Sequence, residues 1–200
     1  MLFRVKRTFT GQAAAVTVLA LLAWLFFSIS RRIPSIHFGW RDMLPLMACI
    51  FLSGLADGCI TEIHLIVLGK KYLAQICETL NGLYGHLSLP GAIGGGLVAG
   101  VGEELLFRGA LQPIVGLIGA AALFAAAHMW GRGLLRLLPW TFLEGLLFGA
   151  LYQWTGNLFY PMVVHGVHDT VAILVIAQLR ARPEGRLAAL ASRYHSTSTR

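Results

Sequence analysis

Glu103-Glu104-Leu105-Leu106-Phe107-Arg108 places three ionisable side chains within six residues of an otherwise apolar stretch. Its flanks, Gly91 to Gly102 and Gly109 to Ala126, carry no other charge. At the centre of a bilayer, one such group costs about 2.5–3.5 kcal/mol on insertion scales, so three together imply partners and a function inside a helix bundle. Two further polar groups fall in apolar runs: Phe124-Ala125-Ala126-Ala127-His128 and His165-Gly166-Val167-His168-Asp169. Helical spacing organises them. Glu104 and Arg108, Phe124 and His128, and His165 and Asp169 are each four apart and share a face. Glu103 is rotated about 100° from Glu104. The expectation is that the two glutamates take different partners, Glu104 pairing with Arg108 and Glu103 free for chemistry. One glutamate and two histidines suffice for hydrolysis of an amide by water. A desolvated carboxylate is a usable general base, one imidazole orients the water, and the other stabilises an oxyanion. The same three side chains can also bind a divalent metal.

Membrane helices must position these residues. The chain has 200 residues, of which 56% are hydrophobic and 12% charged. Soluble domains carry about 25% charge. The composition therefore predicts an all-α, polytopic transmembrane bundle with no separate soluble domain. A span needs about 20 mostly apolar residues. Six segments meet that rule: 8–30, 43–69, 91–111, 113–130, 134–154 and 158–179. Lys70 to Leu89 reads as a loop with a helical, interfacial piece, a seventh short span being the alternative. Pro90, Pro113 and Pro161 mark helix starts. Pro139 predicts a kink or a shifted start for the fifth span. Gly94, Gly95, Gly96, Gly100 and Gly102 let helices approach closely beside Glu103.

The net charge of +7 does not indicate nucleic-acid binding, because the sixteen lysines and arginines cluster at chain ends and between apolar runs. With six spans, twelve of them fall on one side and three on the other, which places both termini in the cytoplasm. The N-terminus has a basic start and an apolar run, like a signal peptide. The run is long and lacks a small-x-small cleavage site, so it is expected to remain as an anchor. Arg180 to Arg200 reads as a basic tail. Three domains follow: 1–90 with the first spans, 91–180 as the functional core, and 181–200 as the tail. Cys49, Cys59 and Cys77 fit no disulfide or metal spacing and are expected as small buried hydrophobes.

Other polar residues carry plainer expectations. Asp57, Glu62 and His64 read as pore-facing or inter-helix contacts, and Glu144 as a bond across helices. His168 falls off the face of His165 and reads as a bystander. With the spans as drawn, His128 and His165 differ in depth by roughly 10 Å at 1.5 Å per residue.

The ordered set resembles the CPBP family, which includes type-2 CAAX prenyl endopeptidases, bacteriocin-processing and immunity proteins, and related membrane proteases. The family pattern EExxxR, FxxxH and HxxxN or HxxxD appears here as Glu103 to Arg108, Phe124 to His128 and His165 to Asp169. The resemblance implies a CAAX protease type-2-like core and a glutamate-type intramembrane endopeptidase with no obligatory metal and no cofactor. It makes Glu103, His128, His165 and Asp169 catalytic, with Glu104, Arg108 and Phe124 as structural support. Aspartate at 169 departs from the asparagine of well-studied members. Ionised aspartate only accepts hydrogen bonds, so Asp169 is expected to act by fixing His165. The expected partners are a lipid bilayer and a membrane-associated or C-terminally tagged protein or peptide substrate, in a bacterial inner membrane. A metal-dependent hydrolase using the same residues is the alternative enzyme. A non-catalytic immunity or scaffold protein is the alternative outside enzymes. A transporter is disfavoured, since no paired broken helices occur in matching halves.

Overall fold

The computed structural model describes residues 14, 17–28, 33–85, 87–129 and 134–181. The basic N-terminus, part of the first expected span and the tail beyond 181 lie outside the described residues, so the expectations for an anchor and for both termini do too. Among the described residues every regular element is helical. The helices are α1 (Thr17–Ser28), α2 (Met43–Leu68), α3 (Lys70–Tyr84), α4 (Leu89–Glu104), α5 (Gln112–Ala127), α6 (Leu138–Thr155) and α7 (Phe159–Ala181), with a π-helical segment, Leu105–Leu111, joining α4 to α5. By length and composition, Trp40–Leu68, Leu89–Ala127 and Phe159–Ala177 can each cross a membrane. The surface agrees with a lipid surround. Leu44, Ile66, Ile118 and Trp154 are each more than 70% exposed, while Glu104 and Arg108 are buried. A soluble protein has no such excess of large exposed apolar side chains.

One boundary differs from the sequence reading. Pro113 lies in the first turn of α5, as expected, but the chain does not reverse there. The proline sits within the continuous stretch after the π-helical segment, where the wider helical turn accommodates a residue that cannot donate to the carbonyl four back. The reversal comes at Gly116, whose φ of 73° and ψ of 176° interrupt the helix. That conformation is essentially restricted to glycine. Gly116 therefore divides the segment into two antiparallel arms. Phe107 meets Phe124 across them, with ring centroids 5.2 Å apart.

The other elements follow from local chemistry. Pro139 shifts the start of the fifth span: a 3-10 turn at Leu134–Leu137 leads into α6 with the proline in its first turn. Helix α3 has 15 residues, about 22 Å, short of a hydrocarbon core of about 30 Å. It buries Ile76 and exposes Glu78, as an interfacial helix does. Helices α4 and α7 run antiparallel in close contact. A side chain at Gly100 would come within 2.5 Å of the Met162 carbonyl and 2.7 Å of the Gly166 nitrogen. Helix α2 closes the bundle through Cys49, which packs with Phe148, Tyr160 and Val164. Cys49 is buried as expected and Cys77 is half-buried, but Cys59 faces outward. Since no packed neighbour covers it, Cys59 joins the apolar outer face of α2.

Candidate active site

The π-helical segment begins one residue after Glu104, and π-bulges recur at functional sites. Arg108, inside it, donates from Nη1 to Glu104 Oε1 at 2.6 Å and from Nη2 to the Gly145 carbonyl at 3.1 Å. One turn on, Gln112 Nε2 donates to the Gly149 carbonyl at 2.9 Å. The two glycines, four apart on α6, expose their carbonyls to side chains that are also four apart. This sets the register of α6. The guanidinium carbon stands 4.5 Å from the Phe124 ring centroid and 5.5 Å from that of Phe148. A buried arginine is thus met by a carboxylate, a carbonyl and two aromatic faces, as burial of its charge requires.

The turn at Gly116 also explains how Glu103 and His128 meet. Glu103 lies thirteen residues before Gly116 and His128 twelve after it. Antiparallel arms therefore bring them level. A break at Gln112 would have left them about seven residues, or roughly 10 Å, out of step. His128 Nδ1 donates to the Phe124 carbonyl at 2.8 Å, since a carbonyl can only accept. That leaves Nε2 facing Glu103 Oε2 at 3.9 Å. From α7, His165 Nε2 stands 4.0 Å from the same oxygen. Glu103 Oε2 is buried and has no hydrogen-bond partner. Separations of 3.9–4.0 Å are too long for a direct hydrogen bond, but one water can span them.

The glutamates share a partner, against expectation. His165 Nδ1 donates to Glu104 Oε1 at 2.8 Å, while its Nε2 faces Glu103. The divergence of adjacent helical positions is bridged because the two ring nitrogens lie on opposite edges of the imidazole. Phe148 stacks on this ring at 4.6 Å. Asp169 Oδ2 lies 3.6 Å from His165 Nε2. Thus Glu103, Glu104, Arg108, Phe124, His128, His165 and Asp169 all converge. The depth gap anticipated between His128 and His165 does not occur.

Residues 85–171, which hold all three motifs, match the family described as type II CAAX prenyl endopeptidase Rce1-like. That stretch, somewhat under half of the chain, is similar to the family. The chain is also 40% identical over 91 residues to a protein of Bacillus subtilis (strain 168) described as the uncharacterized protein YpbD. That match covers 44% of this chain and 47% of the relative, so the chain spans about half the length of the curated relative it matches. No solved structure matches it.

Around this site stand residues that carry no motif. Phe148 and Gln112 hold His165 and α6 in place, yet an aromatic and an amide near glycines give little signal in sequence. His168 is not a bystander. Its Nε2 lies 3.2 Å from Asp57 Oδ2 and 3.3 Å from Glu144 Oε1, and its Nδ1 lies 3.2 Å from Asp169 Oδ1. Asp57 and Glu144 do bridge helices, as expected. Glu62 points outward, and the side chain of His64 lies outside the described residues.

Proposed function

We propose that the chain is an intramembrane endopeptidase, hydrolysing a peptide bond of a membrane-associated or C-terminally tagged protein. The observation that carries this reading is the convergence of Glu103 Oε2 with the Nε2 atoms of His128 and His165. A water held there donates one hydrogen to the Glu103 carboxylate and the other to His128 Nε2. Its lone pair is then directed at a scissile carbonyl carbon. As the C–O bond forms, Glu103 takes the proton and the carbonyl oxygen becomes an oxyanion. His165, doubly protonated, donates from Nε2 to that oxyanion. Collapse breaks the C–N bond, and the proton held by Glu103 passes to the leaving amine. Water-excluding surroundings strengthen each of these contacts. Glu104 and Arg108 hold His165 from its other edge, and Asp169 orients it.

The match of residues 85–171 supports a membrane protease, and on this reading residues 91–180 are its functional core. The excess of basic residues on one side supports an orientation with both termini cytoplasmic. The test compares wild type with Glu103→Gln in lipid nanodiscs on a library of membrane-anchored peptides. Loss of a general base lowers turnover by about 10²–10⁴-fold. Equal cleavage by the two proteins would contradict the proposal.

A further inference from the structure

Five carboxylates (Asp57, Glu103, Glu104, Glu144 and Asp169) share the bundle interior with three imidazoles and, among the described residues, one guanidinium. Even with every imidazole protonated, full ionisation would leave this interior negative. One part of it is the group of Asp57 on α2, Glu144 on α6 and His168 on α7. The three ligand atoms lie within 4.8 Å of one another.

We propose that Asp57, Glu144 and His168 form a binding site for one divalent metal ion of the zinc class, distinct from the Glu103 site. Three features point to it. First, His168 Nε2 stands 3.2 and 3.3 Å from the two carboxylate oxygens. Bonds of 2.0–2.1 Å in a tetrahedron put neighbouring ligand atoms about 3.3–3.4 Å apart, so these two separations match a coordination shell. Second, Asp57 Oδ1 is buried without a hydrogen-bond partner, so the carboxylate is not already engaged through it. Third, the outer contacts are those a metal-binding histidine has. His168 Nδ1 faces Asp169 Oδ1 at 3.2 Å, and Trp140 Nε1 donates to Glu144 Oε1. A ligating histidine usually donates its other N–H to a carboxylate, which fixes the ring and its tautomer. The donor set of one imidazole and two carboxylates suits zinc, manganese or cobalt better than the all-oxygen ions. Three protein ligands leave the fourth position for water.

The site has a consequence for the first one. With Nε2 engaged, His168 must carry its hydrogen on Nδ1 and donate to Asp169 Oδ1. Asp169 then presents its other oxygen to His165. The metal is thus a structural anchor for the residue that orients His165.

Protein in detergent or nanodiscs, stripped with a chelator, is titrated with Zn2+ by calorimetry and with Co2+ by visible absorption. The expected result is one equivalent bound, with the intense absorption of tetrahedral Co2+. Asp57→Asn, Glu144→Gln and His168→Gln should each weaken binding at least about 100-fold. Asp169→Asn should weaken it by about 10–100-fold, as outer-shell changes do. Glu103→Gln and His128→Gln should bind within about threefold of wild type, since neither touches the ion. Monodisperse elution and an unchanged helical circular dichroism spectrum show that each variant is folded. No binding below millimolar Zn2+ by folded wild type would overturn the proposal. So would loss of binding that follows Glu103, His128 and His165 instead. Neither result bears on whether Glu103 is the catalytic base.

Discussion

His165 is held at one edge of its ring by Glu104 through Nδ1, and its Nε2 faces Glu103 and Asp169. Removing the ring removes the proposed oxyanion donor, so His165→Ala should lose about 10²–10³-fold in turnover. Asp169 stands 3.6 Å from Nε2 and acts on the substrate only through that ring. Asparagine keeps its shape and an acceptor oxygen, so Asp169→Asn should retain activity to within about tenfold. Steady-state kinetics on one cleaved peptide checks both. If Asp169→Asn is as inactive as His165→Ala, the orienting role is wrong. The sequence made these residues legible because spacing of four puts pairs on one helical face. It did not disclose that His165 serves both glutamates. Spacing within a helix says nothing about a ring arriving from another helix.

At the scale of elements, the hairpin of α4 and α5 decides the site, and Gly116 decides the hairpin. A Cβ at φ of 73° and ψ of 176° is strained by about 1–3 kcal/mol. Gly116→Ala should lower thermal stability by that order, and should lower activity beyond it by shifting His128 relative to Glu103. An unchanged melting temperature would contradict the turn described here. Sequence placed the break at Pro113 because proline marks helix starts. The helix runs on through that proline after the π-helical segment, and a glycine among many glycines gave no warning of the turn. Helix α3 offers a separate check. Tyr84, at its end, packs against Leu87, Ala92 and Ile173. Burial pushes its phenol up to about 12, and the charges of Asp169 and Glu103 add to the shift. The unfolded value is about 10. The folded state therefore holds a proton that the unfolded state releases. The stabilisation is fully present below about pH 10 and is lost as pH rises to about 12, an effect of about 2–3 kcal/mol. Denaturant unfolding across that range should show a steeper alkaline loss in wild type than in Tyr84→Phe. Parallel curves would contradict the buried setting of the phenol.

For the whole molecule, the fold is a membrane bundle turned polar inside. Apolar side chains cover the outside of α2 and the α4–α5 hairpin, while charge collects where α2, α4, α5, α6 and α7 face one another. Composition and hydropathy made that class legible, and the three motifs made the first site legible. The second cluster was not. Asp57, Glu144 and His168 lie on three helices and share no spacing, so only the packing register of α2 and α6 against α7 brings them together. The same register puts Asp169 between the two clusters and couples them through one side chain. The central claim is that Glu103 and His128 act on a single water. The most direct measurement is a double-mutant cycle with Glu103→Gln and His128→Ala, read as kcat/KM on one cleaved peptide in nanodiscs. Residues that act as a unit are strongly non-additive. The double variant should be no slower than the slower single variant, within about threefold. Losses that multiply across the two substitutions would mean that the side chains work independently, and the shared water would be wrong.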